Sequence, residues 1–114
     1  MLPRIPRLLW LLAFVVCLLG VLGLALVKNP SALISTGWDK GNHVLAFAVL
    51  TFLGRMAFPA RRLLLLLGLL AYGALIEGLQ MLTGYRFAEY RDLLADALGM
   101  LIGYLLAVPV LRRR

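Results

Sequence analysis

The stretch GWDKGNHVLAFAVLTFLG, residues 37–54, decides how the chain is read. A polar cluster of Asp39, Lys40, Asn42 and His43 runs directly into an apolar segment. In a water-soluble domain this would be a helix with one wet end. The rest of the chain excludes that setting. Of its 114 residues, 63% are hydrophobic and the mean hydropathy is +0.96. Soluble domains hold about 45–50% apolar residues. The apolar residues here also fall in blocks near the roughly 20 residues that a helix needs to cross a bilayer. The expectation is an all-α integral membrane protein, a single domain over residues 1–114, with the polar cluster at the mouth of a membrane helix.

Working outward, four spans are expected. Residues 8–27 form an uncharged run after Arg4 and Arg7. The run is long for the core of a secretory signal, and no small-x-small cleavage pattern follows it, so it is read as an uncleaved first helix. Residues 41–58 make the second span, with Arg55 near its end, where an arginine can reach the headgroups. Pro59 to Arg62 is a tight basic turn. Residues 63–82 make the third span, interrupted by Glu77 and Gln80, and residues 93–111 the fourth, closed by Arg112, Arg113 and Arg114. The single cysteine, Cys17, lies inside the first span and has no partner for an intrachain disulfide.

The formal net charge of +7 would suggest nucleic acid as a partner for a soluble chain. Here the distribution matters more than the sum, and no nucleic-acid partner is expected. With the N-terminus inside, Arg4, Arg7, Arg55, Arg61, Arg62, Arg112, Arg113 and Arg114 share the inner side with no acid. Lys28, Lys40, Arg86 and Arg91 fall on the outer half with all the acids: Asp39, Glu77, Glu89, Asp92 and Asp96. The positive-inside rule then places both termini in the cytoplasm. Glu77 and Asp96 lie roughly a turn or more inside their spans by the helical rise. An acid at such depth is costly and is a functional candidate by default.

Helical periodicity sorts these residues onto faces. Asp92, Asp96, Gly99 and Gly103 share one face of the fourth span, ending in the GxxxG of GMLIG. Gly73, Glu77, Gln80 and Gly84 share a face of the third, and Asp39, His43, Ala46 and Phe47 one of the second. Three faces that pack together would bring their polar ends to one pocket on the outer side. Asp39 also suits the N-cap of the second helix, and Asp92 that of the fourth. The GxxxG serves equally for packing within the chain or for a homodimer.

The segments DKGNHVLAF (39–47), IEGLQ (76–80) and RFAEYRDLLADALGMLIG (86–103) resemble the VanZ-like family of small bacterial membrane proteins. That pattern is D-K-x-x-H-x-x-x-F, then E-x-x-Q, then R, a D six residues on, an N or D four further, and G-x-x-x-G. Position 96 is Asn in many relatives and Asp here. The resemblance implies a multi-pass protein of the bacterial cytoplasmic membrane. It also implies that Asp39, Lys40, His43, Glu77, Gln80, Arg86, Asp92 and Asp96 are the polar positions that matter. The family's named member is an accessory determinant of teicoplanin resistance, a role that does not transfer by resemblance. The fold has been proposed as akin to membrane enzymes acting on lipid head groups.

Three functions fit these residues. The first is chemistry on a phosphate-bearing lipid head group, such as a phospholipid or an undecaprenyl-linked lipid, at a site facing the periplasm or exterior. Lys40 and Arg86 would hold the phosphate, with Gln80 and Asp96 on the binding wall. His43 would move the proton, because imidazole ordinarily titrates near neutrality. Asp39 or Asp92 would orient its ring, and Glu77 would be a second acid/base group. The same carboxylates with His43 also suit a divalent cation by donor type, although no metal motif of fixed spacing is present. The second function is non-enzymatic binding of such a head group or of an antibiotic. The third is a small proton-coupled transporter; against it, the first span carries no acid.

Overall fold

The computed structural model describes residues 5–26, 39–83 and 90–112, which form four α-helices: α1 Arg7–Leu26, α2 Asp39–Ala57, α3 Arg62–Thr83 and α4 Tyr90–Arg112. Each begins or ends within about three residues of the expected span. Pro6 precedes α1, and its carbonyl accepts from the amides of Leu9 and Trp10, so the first turn starts on a residue that needs no donor. α2 stops ahead of Pro59, whose ring disfavours helical backbone in the residue before it. The exit is stabilised by two arginines. Arg55 Nη1 donates to the Pro59 carbonyl at 2.9 Å, and Arg7 Nε donates to the Ala57 carbonyl at 2.9 Å. Carbonyls at a helix C-terminus lack helical partners and attract cations.

The most extensive interface joins α2 to α4. Their contacts rise together in number, from His43 against Asp96 through Val44 and Ala48 against Gly99 and Gly103 to Arg55 over Tyr104, so the two helices run parallel. A Cβ on Gly99 would strike the Val44 carbonyl oxygen, and one on Gly103 the Ala48 carbonyl oxygen. The GxxxG therefore packs within the chain. It lets two backbones approach to a distance that any side chain would prevent.

α1 lies against α2 through Trp10 on Phe52, and against the residue that follows α2 through Phe14 on Phe58, both edge-to-face, with centroids 6.1 and 6.0 Å apart. α3 closes the bundle and touches the other three helices over smaller areas. Phe14, Phe47, Leu50, Leu65, Leu69 and Met100 form the buried apolar core. The Tyr72 hydroxyl donates to the Leu18 carbonyl and ties α3 to α1.

The surface is inverted relative to a soluble bundle. Leu8, Leu12, Leu19, Leu63, Leu67, Leu101 and Leu105 are all exposed. So much contiguous apolar surface marks contact with lipid. α1, α3 and α4 are each long and apolar enough to cross a membrane, and the chain is a multi-pass membrane protein. α2 differs from the expectation of four similar spans. Its apolar part, His43–Ala57, is shorter, roughly 22 Å at the helical rise against about 30 Å of hydrocarbon. The reason lies in its position. α2 touches all three other helices and contributes four of the five largest fully buried side chains, Phe47, Leu50, Thr51 and Met56. A helix shielded by neighbours needs less apolar surface than one facing lipid.

Candidate functional site

The site is built at the end of the bundle where α2 and α4 begin. His43 is on the second turn of α2, and its Nδ1 lies 2.8 Å from Asp96 Oδ1 on α4. The side chains are 14% and 2% exposed, so the pair is withdrawn from the surface with the histidine as its more open member. Asp96 is held from a third side. Its Oδ2 would lie 2.8 Å from a Cβ on Gly73 of α3, so the carboxylate sits against bare helix backbone there. Phe47, one turn below His43, reaches the same glycine and forms the apolar floor. Glu77, one turn beyond Gly73 on the same face of α3, is also buried.

The chemistry of this arrangement follows from the pairing. With Asp96 ionised, His43 donates Nδ1–H to it, which fixes the imidazole tautomer and leaves Nε2 as the atom able to take up a proton. A carboxylate buried to this degree is costly unless paired, and a charge-assisted bond to an imidazole offsets part of that cost. Three helices thus contribute to one polar layer, while Thr51 and Arg55 are buried farther along α2. His43 and Asp96 are in contact across α2 and α4, and Glu77 is buried on the α3 face that abuts them.

Not every expected site residue can be placed. Asp39, Lys40, Gln80 and Asp92 lie in the described helices, but their side chains fall outside the described set, and Arg86 and Glu89 lie outside the described residues. The capping roles expected of Asp39 and Asp92 fall there too. Among the described residues, no group of three or more histidine, cysteine or acidic side chains is placed to hold a metal ion.

Two features were absent from the sequence reading. A carboxylate on the His43 ring is that of Asp96, which the spacing had set on the binding wall, and Gly73 provides the clearance for it. The seven-residue step from Asp96 to Gly103 puts Asp96 on the small-residue side of α4, and the four-residue step from Gly73 to Glu77 puts Gly73 on the polar face of α3, without saying which helices those faces meet. The second is Arg55. It is 7% exposed and stacks over Tyr104 with Cζ 4.9 Å from the ring centroid, rather than only reaching out to headgroups.

Comparison with known proteins adds one match. The family described as VanZ/LLP1 matches residues 11–112, nearly the whole chain. No curated protein and no solved structure matches it.

Proposed function

The chain belongs to the VanZ/LLP1 family, and from that premise we propose that its polar layer is a site for a phosphate-bearing lipid head group, with His43 as the acid/base residue. The observation that carries this reading is the part-buried His43–Asp96 pair at 2.8 Å. A carboxylate that fixes one ring nitrogen leaves the other as a proton acceptor of defined direction. Lys40 and Arg86 bind the phosphate in this reading, Asp39, Gln80 and Asp92 complete the wall, and Glu77 is the second acid/base group. The substrate is a phospholipid or an undecaprenyl-linked lipid, and His43 Nε2 activates the attacking hydroxyl or water.

The proposal extends to orientation. All four helices cross the bacterial cytoplasmic membrane, both termini are cytoplasmic, and the site faces the periplasm or exterior. The charge pattern supports this. Arg7, Arg55, Arg61, Arg62 and Arg112 lie at one end of the bundle, whereas Glu77 and Asp96 lie toward the other.

A second reading is retention of the head group without turnover. It is favoured by how fully the pair is built into helix packing, with Asp96 enclosed between α2 and the backbone of α3. One experiment separates the two. Phospholipids and undecaprenyl-linked species are profiled in cells overexpressing the intact chain, His43→Gln, or His43→Ala/Glu77→Ala, at matched membrane levels. Catalysis predicts a lipid pool that shifts only with the intact chain. Retention predicts no shift in any pool, together with lipid co-purification that survives His43→Gln and is lost in the double variant. Identical pools and identical co-purified lipid in all three would overturn the head-group assignment.

A further inference from the structure

A groove of about 490 Å³ runs between α1 and α3, from Arg7 and Arg61 at the basic end of the bundle to Tyr72, the residue before Gly73. Its body is apolar, formed by residues that include Phe14, Leu18, Leu65 and Leu69. At one end stand Arg7 and Arg61; at the other, the hydrogen bond from Tyr72 to the Leu18 carbonyl closes the gap between the helices. No acid is among its lining residues. The volume is within the range of small-ligand sites, about 300–1,000 Å³. Leu64 on its rim is 63% exposed, so the groove opens to the lipid-facing surface.

The groove has a structural origin. α1 and α3 share only a small interface, and Gly68 lines the space between them. A Cβ on Gly68 would meet nothing within 4 Å. The arginines at the mouth are not equivalent. Arg7 is held in place, with Nε bonded to the Ala57 carbonyl and Cζ 5.6 Å above the Phe58 ring centroid. That bond uses one of the five donors of a guanidinium. Arg61 is exposed beside it on the turn between α2 and α3.

We propose that this groove is a binding site for one anionic phospholipid, with an acyl chain along the α1–α3 slot and the phosphate between Arg7 and Arg61. The charge complementarity carries the choice of occupant. A slot lined by leucine and phenylalanine takes a hydrocarbon chain, and two guanidinium groups without a competing carboxylate take the phosphate. Basic pockets between membrane helices are recurrent sites for anionic head groups. The fixed position of Arg7 distinguishes this arrangement from arginines that only reach into bulk headgroups. The assignment uses none of the residues of the proposed head-group site and does not rest on that reading.

Native mass spectrometry of the purified chain tests it, with phosphatidylglycerol and phosphatidylcholine of identical acyl chains offered at equal mole fraction. Both lipids carry the phosphate, but the choline ammonium cancels its charge, so two arginines at the head group imply a preference for the anionic lipid on the order of tenfold. Arg61→Gln should reduce that preference. Arg62→Gln, which removes an equal charge from a residue outside the groove, should not. Gly68→Leu adds bulk to the slot at a position where a Cβ would meet nothing within 4 Å, and should lower retention of the anionic lipid while circular dichroism stays that of the parent. Equal retention of both lipids overturns the proposal. So does a preference that survives both Arg61→Gln and Gly68→Leu, or one that falls equally with Arg62→Gln.

Discussion

At Gly73 a missing side chain makes room for a charge. The Asp96 carboxylate packs against that backbone while its other oxygen is bonded to His43. A methyl group at position 73 would sit 2.8 Å from Oδ2 and force the pair to shift. Gly73→Ala should therefore destabilise the chain in detergent by about 1–3 kcal/mol, the usual cost of overpacking. Asp96→Ala removes the atom that is struck and also takes the Asp96 acceptor from a part-buried ring donor, at a cost of about 1–3 kcal/mol. The double variant should cost less than the sum of the two, because residues in contact do not add. Thermal unfolding of the four chains of this cycle is the measurement. Strict additivity would show that Gly73 and Asp96 are not in contact. Asp96→Asn keeps an acceptor for His43 and should be the mildest change at this position.

At the scale of elements, the parallel packing of α2 on α4 sets the position of the polar layer. Gly99 and Gly103 allow the close approach, and the atoms they face are the Val44 and Ala48 carbonyl oxygens, one and five residues after His43. Backbone cannot rotate aside as a flexible side chain would. Gly99→Ala or Gly103→Ala should push the helices apart, lengthen the His43–Asp96 contact and lower stability by about 1–3 kcal/mol. Gly78→Ala on α3, where a Cβ would meet nothing within 4 Å, should leave stability unchanged or raise it. Equal tolerance at positions 78, 99 and 103 would contradict the packing. Because this small-residue face is occupied inside the chain, the substitutions should act on folding of a single copy, which size-exclusion profiles at several protein concentrations would show.

For the molecule as a whole, charge sorting and inverted polarity are the dominant features. Five described arginines gather at one end, where Arg7 and Arg55 also satisfy the backbone at the exit of α2. The polar layer of His43, Glu77 and Asp96 lies toward the other end. If the basic end is cytoplasmic, a fluorescent protein fused after Arg114 should fluoresce, and alkaline phosphatase fused there should be inactive. The opposite pair of results would invert the bundle and put the polar layer on the cytoplasmic side.

The sequence by itself determined the class, the number of helices and their bounds to within a few residues. Hydrophobic blocks, Pro59 and the charged ends are local signals, and each acts on the segment that contains it. It also determined that His43, Glu77 and Asp96 stand on the small-residue faces of their helices, because the α-helical period fixes faces without knowledge of neighbours. The tertiary structure decided which faces meet. Periodicity along one helix carries no information about its partner, so the spacing left Asp39 and Asp92 as the expected orienters of His43, while the fold brought Asp96 to the ring. The same limit applied to the GxxxG, which reads alike for a partner in the chain or outside it until Val44 and Ala48 are seen against it. It applied again to the α1–α3 groove, whose space exists only because two helices distant in sequence stand slightly apart.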